Sequence, residues 1–514
     1  MHIIPKLIIA TAVVAATTAQ AKVELRSNDG KMFVQGELIS FDGVNLTVRS
    51  GIGDLTLPAS EFHCTGEECP VMEVLDQRIR ISGSDILLQQ VLPLALANHS
   101  ASQNDTLNTV LSGDDGTVFQ INNSKDQLVA TIESVVRHPS EAFQDLLEGR
   151  ADIVMTSRRI TDAEIDAFIA AGLGDLSRSS RETIIAQDGL VAVTSPDNPV
   201  QSLSLSQIEG IFSGRIINWR DVGGIDMPIT VIAPADGTGA ADFFFNAVLD
   251  PEFSDFGRGI QRVASLSEIS DMVAADAGAI GLTSSGTVAG AKPMSIGSSC
   301  GIVSVSDAFS IKTEDYPLTR RLYVYTTSRT IPPIASTIVN LIQGAESDDI
   351  VTDAGLVNLA ISTRDLNEQG NRLAYAIADP SQYGEINNLR RFTSEVLNAE
   401  RLSTTFRFGT GSSQLDNKSL EDALRMAELL RSPAYQGREI LVIGFTDAIG
   451  RSDVNTSLSV RRAQQVVDEI VRASGGTLNA TNIGAFGYGA STPVACNDTV
   501  ESRELNRHVE VWVR

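Results

Sequence analysis

The sequence predicts a multidomain protein of the α/β and α+β classes, with a small N-terminal β unit, a two-lobed α/β domain and a C-terminal βαβαββ domain. Its 514 residues suffice for about three domains of roughly 150 residues each. Strand and helix signals alternate over residues 78–361 and again over 400–514, whereas residues 22–72 carry strand signals alone. A hydrophobic fraction of 42% and a charged fraction of 20% are typical of globular domains, so we expect folded units rather than a disordered chain.

The charge balance excludes one class of partner. The chain has 40 Lys and Arg against 64 Asp and Glu, which gives a formal net charge of -24. Binding to nucleic acid requires a basic face that meets the phosphates. We therefore expect no nucleic-acid partner.

Residues 1–21 have the pattern of a secretory signal peptide. Lys6 supplies a positive start, Leu7–Ala16 is apolar, and Ala19–Ala21 is a small-residue cleavage site. The apolar run is shorter than the about 20 residues that a membrane helix needs. The sequence therefore predicts cleavage after Ala21 and a periplasmic protein in an oxidising compartment.

Residues 22–72 are predicted to form the small β unit, with strands at Val23–Arg26, Phe33–Ile39 and Val44–Val48. In an oxidising compartment, Cys64 and Cys69 favour a local disulfide, with two free thiols as the alternative. Cys300 and Cys496 lie far apart in the sequence, and their pairing stays open.

Three places in residues 78–361 put small or hydroxyl-bearing residues at a predicted helix start. They are Gly83–Asp85, Thr156–Arg158 and Gly237–Gly239. Helix N-termini bind anions through free N–H groups and the positive end of the helix dipole, and a guanidinium suits oxyanions. The alternative for each place is plain N-capping. Three such places in one domain favour an anion site.

Residues 78–361 resemble the periplasmic phosphate-binding proteins of ABC transporters. The resemblance is strongest over Asp188–Gly224 (DGLVAVTSPDNPVQSLSLSQIEGIFSGRIINWRDVGG), and residues 151–161 (ADIVMTSRRIT) and Gly83–Ser84 resemble two of the family's binding segments. In such proteins two lobes close on one oxyanion. The resemblance implies an oxyanion site at Ser84, Ser157, Arg158, Thr238 and Gly239.

The third binding segment departs from the family pattern. Thr238 keeps a hydroxyl, but Ala240 has none and Ala241 replaces an arginine. Each lost charge-assisted hydrogen bond is worth about 1.5–3 kcal/mol. Phosphate is the leading ligand, while another oxyanion, or a domain that has lost its ligand, stays open.

Residues 362–399 are polar and charged without a strand signal, and we expect a partly helical linker. The C-terminal unit follows, with strands predicted at 404–408, 440–445, 483–487 and 509–513 and helices at 420–430 and 458–471. The alternation over His508–Val513 predicts a half-buried strand.

Residues 400–514 resemble the OmpA-like peptidoglycan-binding domain. The motif residues are Gly444-Phe445-Thr446-Asp447, Gly450, Asn455, Leu458-Ser459, Arg462-Ala463, Val466, Gly487-Tyr488-Gly489, Pro493-Val494, Asn497 and Asn506-Arg507-His508-Val509. The family binds the diaminopimelate of the peptide stem, which carries an ammonium and a carboxylate. The resemblance implies that Asp447 takes the ammonium and Arg462 the carboxylate, with Asn455, Leu458 and Arg507 supporting them.

A surface Asp–Arg ion pair, worth less than about 1 kcal/mol, is the structural alternative for Asp447 and Arg462. Phe445 and His508 stand where the family usually has a histidine and a second arginine. Arg461, adjacent to Arg462, is expected to point into solvent.

The sequence argues against an enzyme. Gly297–Gly301 formally matches G-x-S-x-G, but the only later histidine is His508, in another domain. No histidine pair has metal-ligand spacing, and we find no phosphate-binding P-loop, so we expect no metal and no cofactor.

We therefore predict a non-enzymatic periplasmic binding protein, held on peptidoglycan by its last domain and binding phosphate or a related oxyanion in its middle domain. It is expected to associate with the peptidoglycan and with the outer membrane, and an ABC transporter or an outer-membrane protein is the expected partner. The alternative is an envelope-organising protein whose middle domain has lost its ligand and serves as a protein-contact surface.

Overall fold

The computed structural model describes residues 23–27, 32–41, 45–59, 62–66, 68–70, 77–113, 116–249, 255–343, 347–378, 386–408, 415–478 and 482–514. The predicted signal peptide, residues 1–21, lies outside these residues. The described residues divide into two compact units: those up to Gln77 together with 127–129 form the first, and the remaining described residues form the second. Within the described residues, every helix is too short or too polar to cross a membrane.

The N-terminal unit is an antiparallel sheet, as the strand signals predict. In spatial order its strands are Gly53–Pro58, Asn45–Ser50, Phe33–Phe41, Val23–Ser27 and Phe62–Thr65. Alternate residues such as Val23 and Leu25 are buried, because successive side chains of a strand face opposite sides of the sheet. A disulfide joins Cys64 to Cys69, and both cysteines pack against this small core.

The middle domain is a mixed α/β structure. Its main sheet runs in the order Gln261–Val263, Thr230–Pro234, Ala279–Ser284, Glu182–Thr194, Thr319–Tyr325, Ile153–Thr156, Gln77–Gly83, Leu128–Val136, Gly116–Asn122 and Thr106–Gly113, with Lys292–Pro293 beside Glu182–Thr194. A smaller sheet holds Ser202–Leu203, Ser295–Gly297 and Val303–Ser304. The helices are Leu87–Val91 (a π-helix), Leu92–Gln103, Pro139–Glu148, Asp162–Ala170, Leu205–Phe212, Gly239–Ala247, Leu266–Ala275, Ala308–Lys312, Pro333–Leu341 and Ser347–Asp353, with 3₁₀ turns at Trp219–Val222 and Ser285–Thr287.

Two separate hydrophobic cores divide this domain into lobes. The first lobe is built around Phe143, Val154, Phe168, Ile184 and Tyr325, together with Ala142, Leu146, Ile160, Leu173, Leu176 and Tyr323. The second lobe is built around a core that includes Leu190–Val193, Trp219, Phe244, Met294, Ile296 and Ile311. This division confirms the two-lobed α/β fold predicted from the sequence.

Two antiparallel strands connect the lobes. Glu182–Thr194 places Ile184 in the first core and Leu190 in the second, and Thr319–Tyr325 runs back beside it. Near the crossing, Arg320 Nη2 donates to Asp188 Oδ2 at 2.7 Å, and both side chains are buried. This ion pair joins the two connecting strands at the boundary between the two hydrophobic cores.

The C-terminal domain, from Thr363 to Val513, has one sheet covered on both faces. Its strands lie in the order Thr363–Asp365, Glu400–Arg407, His508–Val513, Ile440–Gly444 and Ile483–Gly487. The helices are Gly370–Ala378, Ile386–Val396, Asn417–Arg431, Ser452–Ala473 and Val500–Asn506, with 3₁₀ turns at Asn367–Gln369 and Pro433–Tyr435.

The segment predicted as a linker, residues 362–399, is partly helical but packs into this domain. Thr363–Asp365 adds an edge strand that the sequence did not indicate. Helix Ile386–Val396 buries Phe392 and Val396 against the sheet, in a second core that contains Trp512. Because this helix covers the second face, His508–Val513 is buried on both sides, and the prediction of a half-buried strand is wrong.

Candidate functional site

Three of the five predicted oxyanion residues line one cavity between the lobes. Its volume is about 360 Å³, within the range of small-molecule sites. Ser157 and Arg158 come from the first lobe and Gly239 from the second. The other lining residues are His138, Ser140, Thr161, Asp242, Phe243 and Asn246.

Ser84 lies directly behind Ser157. The Ser84 hydroxyl donates to Ser157 Oγ at 3.1 Å and accepts from the Ser157 N–H, also at 3.1 Å. Gly239 of the other lobe approaches this pair so closely that a Cβ at that position would overlap Ser157 Oγ. The two lobes therefore touch at the serines, and this contact requires a residue without a side chain.

Helix N-termini surround the cavity. Thr238 caps helix Gly239–Ala247 by accepting from Ala241 N at 3.3 Å, and its hydroxyl donates to Ala235 O at 2.7 Å. His138 caps Pro139–Glu148, and Thr161 caps Asp162–Ala170. Three helix ends thus face the cavity, an arrangement that favours anions.

The sequence placed a helix start at Thr156–Arg158, which is wrong. The helix begins at Asp162, because Thr161 and Glu164 form a reciprocal capping box there. Ser157 and Arg158 lie in the loop that precedes the helix. The Thr161-x-x-Glu164 pattern in the sequence marks the correct start of this helix.

The charges in the cavity are balanced. Arg158 donates to both carboxylate oxygens of Glu164, at 2.9 and 2.7 Å. Burial alone would raise the pKa of Glu164, but hydrogen bonds from Arg158 and Thr161 outweigh it and lower that pKa. Across the cavity, Asp242 Oδ1 lies 3.2 Å from His138 Nε2. A bound oxyanion would therefore rely on N–H and hydroxyl donors more than on net positive charge.

Sequence reasoning did not assign His138 and Asp242 to this site. A signal was present for each: His138-Pro139-Ser140 is a helix start, since proline favours the first helical position. Asp242 lies in the first turn of the helix that begins at Gly239.

In the C-terminal domain, Asp447 and the two predicted arginines lie close together. Arg507 Nη1 donates to Asp447 Oδ2 at 2.9 Å, and the Ile449 N–H donates to Oδ1 at 3.0 Å. Arg462 is buried above the Phe408 ring, and among the described residues its Nε and Nη1 have no hydrogen-bond partner. Burial, and then the neighbouring Arg507, lower the pKa of Arg462, while Asp447 acts against them. The site thus holds two guanidiniums and one carboxylate.

The helix that carries Arg462 packs closely against the sheet, next to the Asp447 loop. The backbone of helix Ser452–Ala473 passes so close to the sheet that a Cβ at Gly444 would overlap Ser459 O. Asn455 Nδ2 donates to the carbonyls of Asp447 and Ile449, at 3.3 and 3.1 Å, and so holds the Asp447 loop.

Leu458 is half-buried on the same helix, and Arg461 is exposed, as its position beside Arg462 predicts. The two departures from the family motif face each other in the interior. Phe445 and His508 stack with ring centres 5.1 Å apart, and His508 Nε2 lies 3.0 Å from Glu510 Oε1. Burial lowers the pKa of His508. These two substitutions therefore lie in the core.

The loop that contains Val494 to Asn497 also contacts the Asp447 loop. Asn497 Oδ1 accepts from the Ala448 N–H at 2.9 Å, next to Asp447, and Asn506 Oδ1 fixes the same loop at Val494 N. Cys496, beside Asn497, forms a disulfide with Cys300 of the second lobe. The pairing that the sequence left open is thus an interdomain bond beside the pocket.

Comparisons with known proteins show a similarity for each of the two domains. Residues 123–342 match the family described as the PBP superfamily domain, and residues 407–507 match the OmpA family. The middle domain is therefore similar to the PBP superfamily and the C-terminal domain to the OmpA family, each over part of the chain.

Individual relatives cover one domain each. Outer membrane porin F of Pseudomonas aeruginosa is 34% identical over 118 residues, which are 23% of this chain and 33% of that protein. The phosphate-binding protein PstS of Staphylococcus haemolyticus is 33% identical over 132 residues, 25% of this chain and 40% of that protein. The solved structure of a phosphate ABC transporter substrate-binding protein from Clostridium perfringens, with bound phosphate, matches at 24% identity and a TM-score of 0.42, covering 55% of this chain and 99% of that one. This chain therefore spans well under half of the length of the two curated relatives.

Proposed function

We propose that this protein is a non-enzymatic periplasmic binding protein that docks on peptidoglycan through its C-terminal domain and holds phosphate or a related oxyanion in its middle domain. The observation that carries the proposal is the buried Arg462 guanidinium beside the Asp447–Arg507 pair; two of its nitrogens have no hydrogen-bond partner in the part of the chain that the structure describes.

The C-terminal pocket suits a zwitterion. Diaminopimelate carries an ammonium and a carboxylate at each end of its chain, and Asp447 and Arg462 offer one partner for each charge. A buried donor without a partner costs about 1–3 kcal/mol, which a ligand carboxylate would recover on binding. The match to the OmpA family supports the same ligand.

The middle cavity suits an oxyanion. Three helix N-termini, the hydroxyl of Ser157 and the guanidinium of Arg158 meet there. The likeness to phosphate-binding relatives makes phosphate the leading ligand. Delivery of the anion to an ABC transporter, and contact with an outer-membrane protein, are further proposals that rest on the resemblance alone.

Sedimentation with purified peptidoglycan tests the anchor. We expect the full chain to sediment, and Asp447→Ala and Arg462→Ala each to abolish sedimentation. Arg461→Ala is the matched control, since Arg461 is adjacent and exposed, and it should sediment like the unaltered protein. Equal sedimentation of all four proteins would refute the pocket.

The balanced charge of the cavity favours one competing function. Glu164 binds both amino groups of Arg158 and Asp242 adds a carboxylate, so the cavity offers little cationic charge to attract an anion. The protein would then be an envelope-organising protein whose middle domain contacts another protein. Calorimetric titration of the ligand-stripped full chain with phosphate separates the two: saturable binding supports the receptor, and no heat up to millimolar phosphate supports the organiser.

A further inference from the structure

The C-terminal domain is fastened to the second lobe of the middle domain. The disulfide Cys300–Cys496 joins them covalently. Nearby, Arg401 Nη1 donates to Asp315 Oδ2 at 2.9 Å, and Arg407 Nη2 donates to Asp315 Oδ1 at 3.2 Å. Asp315 follows helix Ala308–Lys312, whose Ile311 belongs to the second core, so these bonds end on the second lobe.

The same domain also holds the first lobe. Asn417 Nδ2, at the start of helix Asn417–Arg431, donates to Ser177 O and to Glu182 Oε1, both at 2.7 Å. Glu182 is buried and also accepts from Tyr325 OH and from Arg159 Nε, both at 2.9 Å. Tyr325 belongs to the first core, and Arg159 lies next to Arg158 in the cleft.

Buried charges lie between these two attachments. Arg321, on the strand that connects the lobes, donates to Glu314 at 2.9 Å and to Asp416 at 2.6 Å. Burial alone would raise the pKa of Glu314, but Arg321, Lys418 and Arg407 lower it to about 2. Because a buried ion that loses its partner is strongly unfavourable, this interface resists separation at neutral pH.

Two-lobed binding domains exchange ligand by hinge motion between the lobes. Here the lobes touch across the cleft at Gly239 and Ser157 and at His138 and Asp242, while the C-terminal domain is bonded to both of them. We propose that the C-terminal domain clamps the two lobes together, so that the cleft opens only when that domain lets go of one lobe. As a regulator of the oxyanion site, the clamp rests on the proposed function. The restraint on lobe motion itself does not depend on which ligand the cleft binds.

Hydrogen–deuterium exchange of the full chain tests the clamp without a ligand. Cys300→Ser/Cys496→Ser releases the covalent attachment to the second lobe, and Asn417→Ala removes the two hydrogen bonds from Asn417 to Ser177 and Glu182 of the first lobe. We expect amides in 155–161 and 237–243 to exchange at least tenfold faster in each variant, because Ser157 and Gly239 are now buried at the contact between the lobes. Rates within twofold of the unaltered protein in both variants would overturn the clamp.

Controls separate the clamp from general loss of structure. Cys64→Ser/Cys69→Ser removes the other disulfide and should leave the cleft amides unchanged; equal acceleration there would overturn the proposal. The exchange rates of Ile440–Gly444 and of Leu190–Thr194 report whether each domain is still folded. If these core amides and the cleft amides exchange faster together in both variants, the domains have lost structure, and the result would count against a clamp.

A second experiment measures release of phosphate after rapid dilution, with the expectation that both variants release it at least tenfold faster. If phosphate does not bind, the receptor function fails while the exchange result still decides the clamp.

Discussion

Replacing Arg462 by methionine should make the protein more stable and at the same time unable to bind peptidoglycan. Methionine has a similar length and no charge, so it fills the space above Phe408 without requiring hydrogen-bond partners. If Arg462 instead stabilised the fold, its replacement would lower the stability of the protein. The variant therefore distinguishes a binding residue from a surface ion pair or a structural arginine.

The size of the effect follows from the contacts. Arg462 has two buried nitrogens without partners within the described ranges, and each unsatisfied donor costs about 1–3 kcal/mol. The change also removes repulsion from Arg507, but it sacrifices the contact with the Phe408 ring, worth about 0.5–2 kcal/mol. The two donors together cost about 2–6 kcal/mol and the ring contact offsets about 0.5–2 kcal/mol, so the net expectation is stabilisation of about 2–4 kcal/mol.

Calorimetry and peptidoglycan sedimentation measure the two halves of this prediction. The melting temperature of the C-terminal domain should rise by several degrees, at about 2–4 °C for each kcal/mol in a domain of this size. Arg461→Met, one residue away and exposed, should change neither quantity. A fall in melting temperature for Arg462→Met, or retained sedimentation, would refute the reasoning.

Three further changes have definite expected outcomes. Gly239→Ala should weaken phosphate binding at least tenfold by calorimetric titration, because its Cβ would overlap Ser157 Oγ; unchanged affinity would show that the lobes do not meet there. Burial raises the pKa of Glu421 to about 7, so its stabilising contribution is complete below pH 4.5 and is lost as the pH rises through 7. Glu421→Gln should therefore stabilise the protein by roughly 3 kcal/mol at pH 8 and little at pH 4.5, as judged by urea unfolding; equal effects at both pH values would contradict the assigned burial. Phe392→Ala should cost about 3–5 kcal/mol in the same assay, because the ring is fully buried, whereas a loss below about 1 kcal/mol would mean that residues 386–396 are a loose tether.

The sequence predicts most of the fold because its periodicities are local. The capping boxes at Thr161 and Ser204, which start helices in the structure, are readable as local sequence patterns, and alternation marks the strands of the N-terminal unit. Helix Ile386–Val396 lies in the segment predicted as a partly helical linker, but its packing against the sheet was not predicted because its apolar residues are diluted by polar and charged ones. Its buried Leu389, Phe392 and Val396 do recur at helical spacing, so a search for a narrow apolar stripe would have found it.

The candidate sites were predicted less evenly. Asp447 and Arg462 come from the motif, but the pairing of Asp447 with Arg507 depends on the tertiary fold and is not visible in the sequence. In the middle domain the motif indicates Ser157 and Gly239, whereas His138 reaches the cavity only through the packing of two helices. The bond between Cys300 and Cys496 spans 196 residues, and no local pattern specifies such a partner.

The proposed anchor and the proposed clamp together bear on what the protein does with its anion. A carrier that feeds a transporter must diffuse and must open its cleft readily. A domain tied to peptidoglycan by the Asp447 pocket does not diffuse, and one bonded on both lobes by Asn417 and Cys496 opens slowly. The same loop, at Cys496 and Asn497, joins the clamp to the peptidoglycan pocket, since Asn497 holds the backbone next to Asp447. Occupancy of the peptidoglycan pocket and opening of the cleft would then be linked through one loop. Such a build suits retention or sensing of an oxyanion at a fixed place in the envelope better than delivery.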